Sequence, residues 1–228
     1  MFNEEKVVDK CIEAIMGAVK KIKQPTKVLI INDGSIDNTA TLLKEKKQKY
    51  NSLIILTHKK NKGYGKALQS GTAKAIQLKF TWALHMDSDL TNDPKYIKDF
   101  IQQTTYDYDC IKASRYVPGS RLIGVPRYRQ IISFIGNHVA SLFFRIGIKD
   151  CTNGFRMVRL AALKGIKLNE SNFSIILEEL FFLKKRGAKF KEIPYTLTAR
   201  KDSSSHFSYK PRVFYDYIKY VAKASLPF

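Results

Sequence analysis

Four short runs of branched apolar residues, separated by stretches with helical spacing, organise the first half of the chain and leave few folds open to it. "KVLIIN" (27–32), "SLIILTH" (52–58), "TWALHMD" (81–87) and "DCIKASR" (109–115) read as strands. Between them, "DNTATLLKEKKQKY" reads as a helix capped near Asp37 or Asn38, and "GKALQSGTAKAIQ" as a second helix. "DPKYIKDFIQQ" is a third, with Pro94 in its first turn. Strands joined by helices of this length form βαβ units, and so a mostly parallel sheet with helices on its faces. The second half differs. "RYRQIISFIGNHVASLFFRIG" (127–147) puts Ile131, Ile135, Val139, Leu142 and Ile146 on one stripe of a helix. "SIILEELFFLKKRGAKF" (174–190) is a helix stopping at Gly187, followed by a strand around Phe190–Leu197, and "PRVFYDYIKYVAK" (211–223) is an aromatic, basic helix.

In open parallel sheets, ligands sit beyond the C-terminal ends of the strands. Asp33 ends the first predicted strand, and Asp87 and Asp89 end the third. Two carboxylates one residue apart can bracket a divalent cation, Mg²⁺ or Mn²⁺, whose other ligands come from water and substrate phosphates. Taken alone, such a pair more often marks a turn followed by a helix cap. The charge adds a direction: 40 Lys and Arg against 20 Asp and Glu give +20, which suits an anionic partner or a lysine-rich source. Cys11, Cys110 and Cys151 are too few and too scattered for a disulfide framework or a zinc site. No stretch reaches the ~18 to 20 apolar residues of a membrane-spanning helix, and Met1-Phe2-Asn3-Glu4-Glu5 is polar from the outset. The expectation is a cytoplasmic protein, peripheral at a membrane.

Asn3-Glu4-Glu5, "NDGSIDNT" (32–39), "NKGYGKAL" (61–68) and "DSD" (87–89) come in this order. Together they resemble the family 2 glycosyltransferases, with their "NEE", "DDGSxDxT" and "DxD" stretches. "ASRYVPGSR" (113–121), "PRYRQIISFIGNHVASLF" (126–143) and "IKDCTNGFRMVR" (148–159) look like the branch that contains dolichol-phosphate mannose synthases and polyprenyl-phosphate glycosyltransferases. The likeness runs from Asn3 to about Val221.

The resemblance implies an A-type glycosyltransferase fold in one domain, with a nucleotide-binding half (1–115) and an acceptor- and membrane-facing half (116–228). It implies inverting transfer of a sugar, mannose first, from a nucleotide diphosphate sugar (GDP-mannose, alternatively UDP-glucose) to a polyprenyl phosphate. Asn3, Glu4, Asp33, Gly34, Ser35, Lys66, Ser88, Arg200 and His206 would bind the donor. Asp87, Asp89 and Thr91 would hold the metal. Arg115, Arg127 and Arg156 would face the acceptor phosphate, and Arg115 joins Asp87 and Asp89 as catalytic. Arg129 is a further basic candidate, and Arg156 and Asp150 have an alternative as braces of the "DCTNGFR" turn. Helix 127–146, with Phe134, Phe143 and Phe144 and basic ends, is either an interfacial anchor or a core helix. A membrane-spanning partner subunit suits such an acceptor, and nucleic acid is not expected.

Three departures bear on activity. The family's opening strand, just before "NEE", has no counterpart here. Asn32 replaces the first Asp of "DDGS". "RKDSSSHF" (200–207) has His206 where the family has lysine and Ser203 where it has glycine. Two alternatives therefore stay open: a family 2 transferase with another acceptor, and a catalytically impaired relative acting as a scaffold.

Overall fold

All four early strands form where the branched apolar runs lie: β1 Val28–Asn32, β2 Leu53–Thr57, β3 Trp82–His85 and β4 Cys110–Ser114. The computed structural model describes residues 1–199 and 211–225. The intervening helices are α2 Thr39–Lys49, α3 Tyr64–Gln77, and a 3₁₀ turn Pro94–Tyr96 leading into α4 Ile97–Gln103. Asp37 accepts a hydrogen bond from the Thr39 N–H (3.0 Å) and so caps α2. Ahead of them stands α1 Val8–Val19, which buries Val8, Cys11, Ile12, Ile15 and Met16, a three-and-four spacing the sequence reading passed over.

The second half adds β5 Arg121–Ile123, α5 Arg127–Phe144, β6 Arg156–Arg159, α6 Leu160–Leu163, α7 Ile175–Lys185, β7 Phe190–Pro194, β8 Thr196–Thr198 and α8 Pro211–Ser225. Helix α5 ends where Arg145 takes a left-handed conformation (φ 50°).

Three pairings are parallel (β1 with β2, β4 with β7, β5 with β8). Strand β6 runs antiparallel between β3 and β4, giving the order β3-β6-β4-β7. It starts beside the end of β4, where the Ala113 N–H donates to the Phe155 carbonyl, and travels back along it. A mostly parallel sheet with flanking helices thus forms, with one reversed strand inside it.

The sheet is split. Strands β1 and β2 form a ladder of their own, and among the described residues no ladder joins β1 to β3. The helices nevertheless span the division. One cluster packs Cys11, Ile12 and Ile15 of α1 and Ile97 of α4 against Val28 and Ile30 of β1, with Leu84 of β3 at its edge. A second core joins α5, α7 and α8 around Phe144, Leu177, Leu180 and Tyr220.

Cys11, Cys110 and Cys151 are all free thiols in these interiors. Burial pushes each up to about 12, and the thiolate is the reactive form. Ellman's reagent at about pH 8 should therefore titrate none of them in the native protein and all three after guanidinium denaturation.

Candidate active site

Strand β1 ends on Asn32 and Asp33, both buried, and the chain turns sharply at Gly34 (φ +70°). A Cβ at Gly34 would lie 2.3 Å from the Lys60 carbonyl carbon, so only glycine fits this crossing. The Asp33 carboxylate accepts the Lys62 N–H (3.0 Å) and the Gly63 N–H (2.8 Å). It also lies 2.6 Å from Nδ1 of His58, whose Nε2 is 2.9 Å from the Ser70 hydroxyl. A carboxylate has about four acceptor positions, and three are used in clamping the end of β1 to the loop before α3. Asp33 does line the cleft above the sheet.

The "NEE" segment is knitted to the same loop. The Asn3 N–H donates to the Ser35 hydroxyl (3.0 Å), and the Asn3 side-chain oxygen accepts the Ile36 N–H (3.0 Å). The Glu4 N–H donates to the Thr39 hydroxyl (2.9 Å). Glu4 lines the cleft, whereas Asn3, Gly34, Ser35 and Lys66 are not among the lining residues; Lys66 bonds Gln69 on its own helix (2.9 Å).

Asp87, Ser88 and Asp89 leave β3 into that cleft. The Asp87 N–H donates to the side-chain oxygen of buried Asn92 (2.9 Å), which fixes the loop. The Tyr64 hydroxyl, stacked on Phe173 with ring centroids 4.4 Å apart, bonds the Asp87 carboxylate. Burial and then the Asp87 charge raise the Tyr64 pKa well above the usual phenol value, keeping it a donor. Asp89 accepts both the N–H (3.0 Å) and the hydroxyl (2.6 Å) of Thr91. Thr91, which also lines the cleft, thus orients Asp89.

The donor set is all oxygen. Among the described residues no three His, Cys, Asp or Glu side chains gather into a metal cluster. Two carboxylates facing a roomy cleft fit a hard divalent cation that completes its shell from water and phosphate oxygens. At the end of β3, His85 has a buried Nε2 with no partner, and burial brings its pKa down to about 4, so the ring is neutral.

The predicted arginines separate. Arg115 lines the cleft, but its Nε (2.7 Å) and Nη2 (2.8 Å) fork onto buried Asp150. Burial works against both charges, yet their proximity raises the arginine pKa and lowers that of Asp150. Arg127 opens α5 on the exposed surface and is not part of the cleft wall, whereas Arg129, two residues on and on the other face of the helix, is. Arg156 is corrected outright. It is fully buried, its Nε and Nη2 bond Glu179 (2.6 and 3.0 Å), and its Nη1 donates to the Gly154 carbonyl (2.9 Å). No acceptor phosphate can reach it. Arg200 and His206 lie outside the described residues, as does Ser203.

The "DCTNGFR" turn and α5 meet as a unit. The Asn137 amide donates to the Thr152 hydroxyl (2.9 Å) and accepts the Thr152 N–H (2.9 Å), and the Asn153 amide donates to the Ala113 carbonyl (2.6 Å). The cleft these elements enclose measures about 1720 Å³. Tyr64 and His85 line it, and His58 stands behind Asp33. Both histidines had a usable signal, since each stands at the C-terminal end of a strand, His58 after β2 and His85 in β3, as Asp33 does after β1.

A parallel-rich sheet with carboxylates at two strand ends defines an A-type glycosyltransferase fold. Residues 1–166 match the model of glycosyl transferase family 2, and the chain belongs to that family. It is similar to a dolichol-phosphate mannosyltransferase of Pyrococcus furiosus, 27% identical over 96% of this chain and 60% of the relative. It is also similar to a polyprenol monophosphomannose synthase of Mycolicibacterium smegmatis, 25% identical over 85% of this chain and 75% of that protein. The chain therefore spans only about three-fifths of the Pyrococcus protein's length. Among solved structures, glucosyl-3-phosphoglycerate synthase of Mycobacterium tuberculosis in complex with Mn²⁺ and UDP-glucose has a TM-score of 0.67. That alignment covers 100% of this chain and 78% of that one at 15% identity, and it bears on fold alone.

Because Arg156 and Glu179 are a buried pair, removing one partner strands the other charge. Arg156→Leu should cost about 3 to 5 kcal/mol in urea denaturation. Arg156→Leu with Glu179→Leu should recover much of it, and a loss confined to acceptor affinity would contradict the assignment.

Proposed function

We propose that the chain transfers a sugar, mannose being the first candidate, from a nucleotide diphosphate sugar to a polyprenyl phosphate at a membrane surface. The observation that supports this most is a juxtaposition. The Asp87/Asp89 pair opens into the same cleft as Arg115 and Arg129, next to a helix whose apolar stripe faces outward. In this reading residues 1–115 hold the donor and residues 116–228 the acceptor. The names of the curated relatives support a lipid-phosphate acceptor.

The chemistry suits these residue types. An oxygen of the acceptor phosphate forms a bond to the anomeric carbon as the bond from that carbon to the donor's diphosphate oxygen breaks. The electron pair leaves on the nucleoside diphosphate, and the anomeric centre inverts. A phosphate monoester has its second pKa near 6, so the nucleophile is already ionised and needs no strong base. A divalent cation at Asp87 and Asp89 would supply neutralisation of the charge developing on the diphosphate. Tyr64 steadies Asp87 and Thr91 steadies Asp89, so the two carboxylates are oriented before any ligand arrives. Arg115 is held by Asp150 and Arg129 stands on the same cleft wall; these are the arginines assigned to the acceptor phosphate in this reading.

Helix α5 supports the membrane half of the reading. Ile131, Phe134, Ile135 and Leu142 are each more than half exposed, and Tyr215 and Ile218 of α8 extend the surface. Phe144 does not join them; it is fully buried in the second core. No helix among the described residues is long and apolar enough to cross a membrane. An in-plane seating, assisted at roughly 1 kcal/mol per basic residue near anionic lipid, accounts for an exposed stripe of this size.

Calorimetry with GDP and UDP in Mn²⁺ or Mg²⁺ tests the donor site: one nucleotide should bind in a metal-dependent way, and Asp89→Ala should abolish it. Metal-independent binding unchanged in the variant would sink the assignment. Arg129→Ala should raise KM for a polyprenyl phosphate about 10- to 100-fold, the worth of one charge-assisted hydrogen bond. Its kcat and nucleotide affinity should move far less.

A further inference from the structure

His58 is a buried side chain to which the proposed reaction gives no task. It is 7% exposed, follows directly on β2, and is not among the residues that line the cleft. The β1–β2 ladder carries on to it, since its N–H donates to the Asn32 carbonyl (2.9 Å). The ring is held at both ends. Nδ1 lies 2.6 Å from Oδ1 of Asp33, and Nε2 lies 2.9 Å from the hydroxyl of Ser70, midway along α3. An ionised carboxylate can only accept, so the ring donates through Nδ1, while a hydroxyl can meet Nε2 as donor or acceptor.

The consequence falls on Asp33. Its Oδ1 accepts both the His58 Nδ1–H and the Lys62 N–H (3.0 Å), which fills that oxygen. Its Oδ2 accepts the Gly63 N–H (2.8 Å). Among the described residues one acceptor position is thus left, on Oδ2, of a side chain that lines the cleft. The two backbone donors are neighbours on one loop. His58 is the one side chain among the described residues that bonds Asp33, and it is tied to β1 through its own N–H and to α3 through Ser70. A polar chain of this kind, kept from water, gains in strength and rigidity.

We infer that His58, backed by Ser70, is a positioning residue for donor binding. It fixes which oxygen of Asp33 faces the cleft and presents Oδ2 as an acceptor for an N–H or O–H group of the nucleotide. The inference rests on the reading of residues 1–115 as the half that holds the donor. Without the ring, Oδ1 regains an open acceptor position, and two bonds from one loop are left to hold the carboxylate. The ligand then meets a less ordered group.

The test is calorimetry on the full chain with Mn²⁺ and GDP or UDP, at a temperature where every variant is folded. The amide nitrogen of Asn falls near the place of Nδ1 and keeps a donor for Asp33, whereas that of Gln falls near Nε2 and meets Ser70. His58→Gln and His58→Leu should therefore raise the nucleotide Kd about tenfold and His58→Asn by no more than about threefold, the scale of one hydrogen bond to a charged group. In an Asp33→Asn background His58→Leu should add less than about a factor of two, because His58 acts through that carboxylate. A His58→Leu effect that persists there in full overturns the inference, since a general loss of packing would then account for it. Asn and Gln variants that bind alike overturn it too, while the unaltered chain's binding leaves the donor reading standing. If neither nucleotide binds the unaltered chain, the donor reading itself falls and this inference with it. Should His58→Leu or Asp33→Asn not fold, the comparison of Asn with Gln at position 58 decides alone.

Discussion

The second half of the chain hangs on one buried carboxylate. Asp150 has no exposure, and an ionised group in that position is tolerable only when it is nearly saturated with donors. It accepts from the Arg115 N–H, from Nε and Nη2 of the same residue, and from the Asn153 N–H. Those four bonds tie the end of β4 to the turn that starts β6. Through Thr152 and Asn137 the same turn fixes α5, and with it the exposed apolar stripe. The direction of that surface relative to the Asp87/Asp89 pair is thereby set in the interior, some distance from either.

Sequence patterning made the strand-helix alternation legible because each βαβ segment is locally complete: a branched run, a cap, an amphipathic stretch. Strand β6 was not legible, since "GFRMVR" is short and its pairing with β3 and β4 comes from distant parts of the chain. Helix α1 is legible in the three-and-four spacing of Val8, Cys11, Ile12, Ile15 and Met16. Arginines are the least legible, because each has many structural alternatives. Arg156 and Arg115 look alike in sequence, yet Glu179, 23 residues beyond Arg156 on α7, takes one into the core, while Asp150 holds the other at the cleft wall.

Glycine tells a similar story. Gly34 was legible as a turn, but the reason for it is the Lys60 backbone pressed against it, a contact between the β1 and β2 loops. Gly154 likewise lies where a Cβ would come within 2.6 Å of the Tyr64 hydroxyl, so the "NGF" turn leaves room for the residue that steadies Asp87. In both cases a motif that reads as local is set by a long-range approach.

The exposed α5 stripe and the cleft beside it make opposite demands. The stripe belongs to a helix whose backbone groups bond one another, so it presents apolar side chains and no unmatched backbone group. In the proposed reading it asks only for hydrocarbon, which a lipid interface supplies without any hydrogen-bond partner. The cleft is charged where Asp87, Asp89 and Arg115 line it, and moving such groups next to hydrocarbon is costly. A lipid surface therefore suits the helix face and not the cleft.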